Sequence, residues 1–115
     1  MDFKIDIKAL SVNDAWQGRR FKTPDYKKYE NDVALLLRGV QRAPEGKLQV
    51  TYRFYMKNHK LADNDNPVKP LQDILVKCGV LKDDRFIYRT IIEKIPSEHE
   101  YITVQIVPFS DTPVV

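Results

Sequence analysis

Apolar and polar residues alternate in two stretches of the N-terminal half, and each stretch predicts a β-strand. The first covers residues 3–8, where Phe3, Ile5 and Ile7 are separated by charged residues, as in a half-buried strand. The clearest alternation runs from Lys47 to Lys57. One face of that second strand would be formed by Leu48, Val50, Tyr52, Phe54 and Met56.

Two further strands are expected near the C-terminus, at residues 86–95 and 101–107. Between them lies the short polar segment 96–100, which contains Pro96 and Ser97. A connection of this length favours a hairpin, so we expect the last two strands to pair with each other.

A helix is predicted to start at Thr23-Pro24-Asp25. Threonine is a good N-cap, proline suits the first helical position, and an acidic side chain favours the first turn. Helical spacing continues to about Arg38 or Val40. The apolar face would comprise Tyr26, Tyr29, Val33, Leu36, Leu37 and Val40.

A second helix is predicted to follow the segment around residue 66, with Asp65 or Asn66 available as its cap. Pro70 disfavours helical geometry at Lys69, so we expect the regular helix to begin closer to Pro70 than to Pro67. Gly79 suits the position just after the last turn. The apolar stripe would comprise Val68, Leu71, Ile74, Leu75 and Cys78.

The order strand, helix, strand, helix, strand, strand predicts a small α+β fold. We expect a mixed sheet of about four strands with both helices packed on one face. A chain of 115 residues suits one domain, spanning residues 1–115.

The composition favours a cytoplasmic protein. Cys78 is the only cysteine, so an internal disulfide is impossible, and we expect a buried, unreactive thiol. The charged residues near Met1 argue against a signal peptide, and no apolar run reaches the length that a membrane span requires. The net charge of +3 is compatible with a polyanionic partner.

The acidic segment around Asp63 and Asp65 contains the strongest candidate chemistry. Residues two apart in an extended segment point the same way, so both carboxylates can face one cation. Oxygen ligands of this kind suit Mg²⁺, which also takes phosphate oxygens from a substrate. A second acidic pair, Asp83-Asp84, follows the predicted second helix. The alternative is that Asp and Asn before Pro67 form only a turn and a helix cap.

Basic residues surround these acidic segments, as expected of a protein that binds phosphates near a metal. They are Arg19, Arg20, Lys22, Lys27 and Lys28 in one stretch, Lys60 before the first acids, and Lys82 and Arg85 around the second pair. The alternative is a solvated basic face. Trp16, in the long connection 11–22, either stacks on a base or anchors that loop.

Three motifs lie between Lys60 and Lys94: Asp63-x-Asp65-Asn66-x-x-Lys69, Asp73-Ile74-Leu75, and Gly79-x-Leu81-x-Asp83-Asp84. Together they resemble the RusA family of Holliday-junction resolvases, with weaker similarity at Ser11-Val12-Asn13 and Trp16. The family consists of magnesium-dependent homodimeric endonucleases, often carried by prophages, that cut four-way DNA junctions by paired incisions.

The resemblance implies a role for each matching residue. Asp63, Asp65 and Asp84 would hold Mg²⁺, with Mn²⁺ as a substitute, and Lys69 would lie beside the metal. Asp83 would be an additional acid. DNA contacts are expected from Arg19, Arg20, Lys22, Lys27, Lys28, Lys60 and Arg85. Three alternatives remain at this stage: a branched-DNA-binding relative that does not cut, a nuclease acting on flaps or forks, and a structural partner protein.

Overall fold

A computed structural model describes residues 1–10, 16–17, 21–57 and 67–110 of the chain. These residues form six strands and two α-helices. In chain order they are β1 (Asp2–Ile5), β2 (Trp16–Gln17), β3 (Phe21–Lys22), α1 (Pro24–Leu36), β4 (Leu48–Met56), α2 (Val68–Lys77), β5 (Ile87–Pro96) and β6 (Tyr101–Pro108).

Four of the strands form one mixed sheet, in the order β1-β6-β4-β5. The central strand β4 runs parallel to β5 and antiparallel to β6, and β1 pairs antiparallel with β6. The short strands β2 and β3 form a separate antiparallel ladder inside the connection that precedes α1. The predicted α+β fold, with its mixed four-stranded sheet, is therefore confirmed.

The predicted pairing of the last two strands is wrong. β4 lies between β5 and β6 and pairs with both of them, so segment 97–100 crosses the end of β4 instead of forming a hairpin. The Ser97 N–H donates to the carbonyl oxygen of Met56, the last residue of β4, at 2.9 Å. Two strand spacings are about 9.6 Å, a distance that four residues can span.

Helix α1 begins as predicted. The Thr23 hydroxyl oxygen accepts a hydrogen bond from the Tyr26 N–H at 3.1 Å, and Pro24 occupies the first turn. The helix ends at Leu36, slightly before the predicted end, and the positive φ of Gly39 (83°) turns the chain away. Tyr26, Tyr29, Val33 and Leu37 are buried, but Leu36 remains 43% exposed, so its predicted burial is wrong.

Helix α2 begins at Val68, with Pro67 as its N-cap, and not near Pro70 as predicted. Pro70 is the third helical residue, a position whose backbone N–H would have no partner inside the helix. Its missing donor therefore costs no hydrogen bond. At the other end Gly79 has the expected positive φ (81°), directly after the C-cap Cys78.

The core lies between the sheet and the two helices. It unites buried residues of α1, α2, β4 and β6 in one cluster with Ile5. The predicted apolar stripe of α2 is buried from Val68 to Leu75, but Cys78 is exposed, so the prediction of a buried thiol is wrong. The periodicity placed Cys78 on the apolar face, but the helix has ended at Lys77.

No helix in the described part of the chain could cross a membrane.

Candidate functional site

The acidic pair lies in the connection between α2 and β5, which is fixed from both sides. The N–H groups of Val80 and Leu81 donate to the Leu75 carbonyl at 3.0 and 3.2 Å, and the Val80 carbonyl accepts from Ala43 N–H at 2.8 Å. Val80 and Leu81 are both buried. This anchored turn presents Asp83 and the residues after it at the start of β5.

Asp83 caps a short 3₁₀ helix that covers Asp84–Phe86. Its Oδ1 accepts a hydrogen bond from the Arg85 N–H at 3.0 Å, and its Oδ2 lies 3.7 Å from the Arg85 Nε. The backbone hydrogen bond from Arg85, followed by a contact with the Asp84 side chain, lowers the pKa of Asp83. Asp83 is therefore a carboxylate at neutral pH, next to the exposed carboxyl group of Asp84.

Lys69 lies in the first turn of α2 and is exposed. Its Nζ contacts Asp73 Oδ2 at 3.1 Å, one helical turn further along. The neighbouring Gln72 accepts a hydrogen bond from the Tyr52 hydroxyl at 2.9 Å. Burial, and secondly the negative charge of Asp73, raise the pKa values of Tyr52 and Tyr26, the latter to about 12. Asp73 thus acts electrostatically on Lys69 and on two core tyrosines.

Five predicted site residues lie outside the described residues: Arg19, Arg20, Lys60, Asp63 and Asp65. The described part of the chain contains no group of three acidic, histidine or cysteine side chains that could hold a metal ion. It does bring together the carboxyl groups of Asp83 and Asp84. Oxygen donors in this arrangement suit a hard divalent cation.

The predicted basic residues of α1 and β3 differ in their surroundings. Lys27 and Lys28 are exposed. The Nζ of Lys22, however, lies 3.0 Å from Glu30 Oε2 and 5.0 Å from the centre of the Tyr26 ring. Its charge is already balanced inside the protein.

Two further cations lie beside the acidic pair. Lys82 and Arg85 each contact the ring of Phe86, at 5.8 and 5.1 Å from its centre. Arg85 was among the predicted DNA contacts, and its guanidinium is exposed at the start of β5. This corner of the molecule therefore combines two carboxylates with two basic groups.

Sequence reasoning missed the partners of these residues. Glu30 joins Lys22 of β3 to Lys77 of α2, and Asp73 was noted only as part of the motif. The spacing of Lys69 and Asp73, four residues apart on a predicted helix, could have identified that pair. The contacts of Glu30 depend on tertiary packing and leave no local signal.

Two comparisons with known proteins bear on this site. The family model for endodeoxyribonuclease RusA matches residues 10–107. A protein of Aquifex aeolicus (strain VF5), the crossover junction endodeoxyribonuclease RusA, is 30% identical over 95 residues, which cover 80% of this chain and 75% of that protein. The matched region includes β4, α2, the acidic pair and β5. The chain belongs to the RusA endodeoxyribonuclease family.

Proposed function

We propose that this protein is a magnesium-dependent endonuclease that resolves four-way DNA junctions by paired symmetric cuts, as part of DNA recombination and repair. The observation that carries the proposal is the pair of neighbouring carboxylates at Asp83 and Asp84 in a chain of the RusA family. The name of the Aquifex aeolicus relative states the same substrate class, a crossover junction.

Asp63, Asp65 and Asp84 would hold the magnesium ion, and Asp83 is an additional acid beside them. A bound ion would supply an activated water and would neutralise charge on the phosphoryl oxygens. Lys69 would balance the negative charge that develops on the phosphate during cleavage. Manganese, which takes the same oxygen ligands, would substitute for magnesium.

The basic residues of the proposal would bind the DNA backbone. Lys27, Lys28 and Arg85 offer exposed charges that can contact phosphates, which position DNA without reading its sequence. Arg19, Arg20 and Lys60 would extend this surface. Lys22 would contribute only by exchanging its ion pair with Glu30 for a phosphate.

Two active sites related by a twofold axis are a natural solution for paired symmetric cuts. A homodimer of this chain supplies them, because each subunit would cut one of two equivalent strands. We therefore propose a homodimer as the active form.

The proposal is tested by incubating the purified protein with a synthetic four-way junction and Mg²⁺. We expect paired symmetric cuts in the junction and none in linear duplex of the same sequence. Asp65→Asn and Asp84→Asn should abolish cutting but bind the junction within about threefold of the wild type. Each removes one negative charge without removing side-chain volume, so folding should be unaffected.

Other outcomes would redirect the proposal. Tight binding of the junction without cleavage would indicate a DNA-binding relative, and faster cleavage of flaps or forks would indicate a different substrate. Retained cleavage by either Asn variant would exclude that residue from the metal site. A protein that neither binds nor cuts branched DNA would contradict the proposal altogether.

A further inference from the structure

Strand β5 contains one extra residue near its start, and the aromatic side chain of that residue faces solvent. Leu48 pairs with Ile87 and Gln49 pairs with Arg89, so Tyr88 lies opposite no residue of β4. Such a β-bulge bends the strand and re-aims the side chain of the inserted residue. Because β5 is at the edge of the sheet, the Tyr88 ring is left 55% exposed.

One cation and a second ring contact Tyr88, and a second cation contacts that second ring. The Lys47 Nζ lies 5.0 Å from the centre of the Tyr88 ring, and the Phe109 ring centre lies 5.5 Å from it. The guanidinium carbon of Arg89 lies 4.9 Å from the centre of the Phe109 ring. We call these four residues, Lys47, Tyr88, Arg89 and Phe109, the aromatic platform.

Hydrogen bonds hold the platform in place. Arg89 donates to the Gln49 side-chain oxygen at 3.0 Å and to the Ser110 carbonyl at 3.2 Å, and the Phe109 N–H donates to the Lys47 carbonyl at 2.9 Å. These bonds fix the chain after β6 against the start of β4. They account for the positions of Arg89 and Phe109, but they leave the Tyr88 ring open to a partner.

The platform lies close to the acidic pair. Tyr88 follows Asp84 by four residues, so their Cα atoms are at most about 14 Å apart. That distance corresponds to about four nucleotide steps along one DNA strand. A DNA strand bound at Asp84 can therefore reach Tyr88.

An exposed ring with cations nearby suits an unstacked nucleobase, because the ring stacks on the base and the cations attract the neighbouring phosphates. We propose that the aromatic platform stacks a base of the DNA substrate beside the cutting site. This inference rests on the proposed function and deepens it. Bases at the branch point of a junction can leave their stack, whereas the interior bases of a duplex remain paired, so the platform would favour branched DNA.

The experiment places 2-aminopurine at the branch point of a four-way junction and uses Ca²⁺ in place of Mg²⁺ to prevent cleavage. Wild-type protein should quench the 2-aminopurine fluorescence by stacking. Tyr88→Leu should abolish the quenching and weaken junction binding about 10-fold, with duplex binding unchanged. Tyr88→Phe keeps the ring and should preserve both signals.

The matched control is Ile92→Ala. Ile92 is another exposed apolar residue of β5, 44% exposed, and it is not part of the platform. This variant should bind and quench like the wild type. Full quenching by a folded Tyr88→Leu protein would overturn the inference, and so would an equal loss of affinity for junction and duplex.

A second substrate distinguishes failure of the proposed nuclease function from failure of the aromatic platform. The same variants are tested with a single-stranded oligonucleotide that contains 2-aminopurine, where stacking requires no cleavage. Wild-type protein that quenches this strand but never cuts the junction would contradict the proposed nuclease and support the platform. Cleavage of the junction by a wild type that quenches neither substrate would contradict the platform alone.

Discussion

The position of Lys69 is electrostatically unfavourable for the helix that carries it. Lys69 is the second residue of α2, whose first turn contains no acidic side chain, and the positive end of the helix dipole lies there. The ion pair with Asp73 offsets this only partly, because a lysine that precedes its acid by four residues is the weaker order. The ion pair of Lys69 with Asp73 therefore contributes little to folding.

We predict that Lys69→Ala changes the free energy of unfolding by no more than about 0.5 kcal/mol, since the lost ion pair and the relieved dipole nearly cancel. Junction cleavage should slow by about 100-fold, because the variant lacks a charge that stabilises the transition state. Binding should weaken less than threefold. Urea unfolding, single-turnover cleavage and binding titrations measure the three quantities.

Lys8→Ala is the control for Lys69→Ala. Lys8 is also exposed, but it follows β1, at the opposite edge of the sheet from β5. Its loss should leave all three quantities unchanged. If Lys69→Ala weakened binding as much as cleavage, Lys69 would be an ordinary phosphate contact.

The candidate site could be predicted from sequence only where its residues are close together in the chain. Asp83, Asp84 and Arg85 are consecutive, and the structure places them at one turn. The pair Lys69–Asp73 is also local. By contrast, the aromatic platform joins residues 47, 88 and 109, and the bulge that exposes Tyr88 results from pairing between two strands. No local pattern contains that information.

At the level of elements, the pattern located the two helices and the four strands of the mixed sheet, but it could not identify their neighbours and did not predict β2 and β3. The alternation in β4 located its buried face correctly, because the period of a strand depends only on its own residues. The prediction that β5 pairs with β6 was wrong, because the short connection between them is equally compatible with β4 lying between them. The start of α2 was wrong because Pro70 is harmless within the first turn.

Glu30 of α1 holds three elements together. Its two carboxylate oxygens lie 3.0 Å from the Lys22 Nζ of β3 and 2.9 Å from the Lys77 Nζ of α2, and its side chain is only 17% exposed. Burial alone would raise the pKa of Glu30, but the hydrogen bonds from Lys77 and Lys22 outweigh it and lower the pKa. The folded state therefore favours the charged form of Glu30.

We predict that Glu30→Gln lowers the free energy of unfolding by about 1 kcal/mol at pH 7. A carboxyl group whose pKa is lower in the folded than in the unfolded protein stabilises the fold above its unfolded pKa, and this stabilisation is lost as the pH falls through the folded pKa. The difference between wild type and variant should therefore shrink below about pH 4.5 and vanish in stronger acid. Urea unfolding between pH 3 and pH 7 measures it.

Glu45→Gln is the matched control, since Glu45 is an exposed glutamate in the turn before β4. Its unfolding curve should follow the wild type at each pH. A Glu30→Gln difference that persisted unchanged at pH 3 would show that side-chain packing, and not charge, accounts for the effect.

At the scale of the whole molecule, the acidic pair lies at one corner of the sheet. In the proposed homodimer the two corners would be related by the twofold axis, and each would act on a different strand of the junction. Two subunits of 13.5 kDa give a particle of 27 kDa, which sedimentation can distinguish from the monomer.

We predict that a heterodimer of one wild-type and one Asp84→Asn subunit cuts only one strand in each binding event. Differently tagged subunits are co-expressed, and the mixed dimer is purified on both tags. With a plasmid that extrudes a cruciform, the wild-type dimer should yield linear product, the mixed dimer nicked circles, and the double-variant dimer neither. Linear product from the mixed dimer at the wild-type rate would show that one active site cuts both strands, and the twofold mechanism would then be wrong.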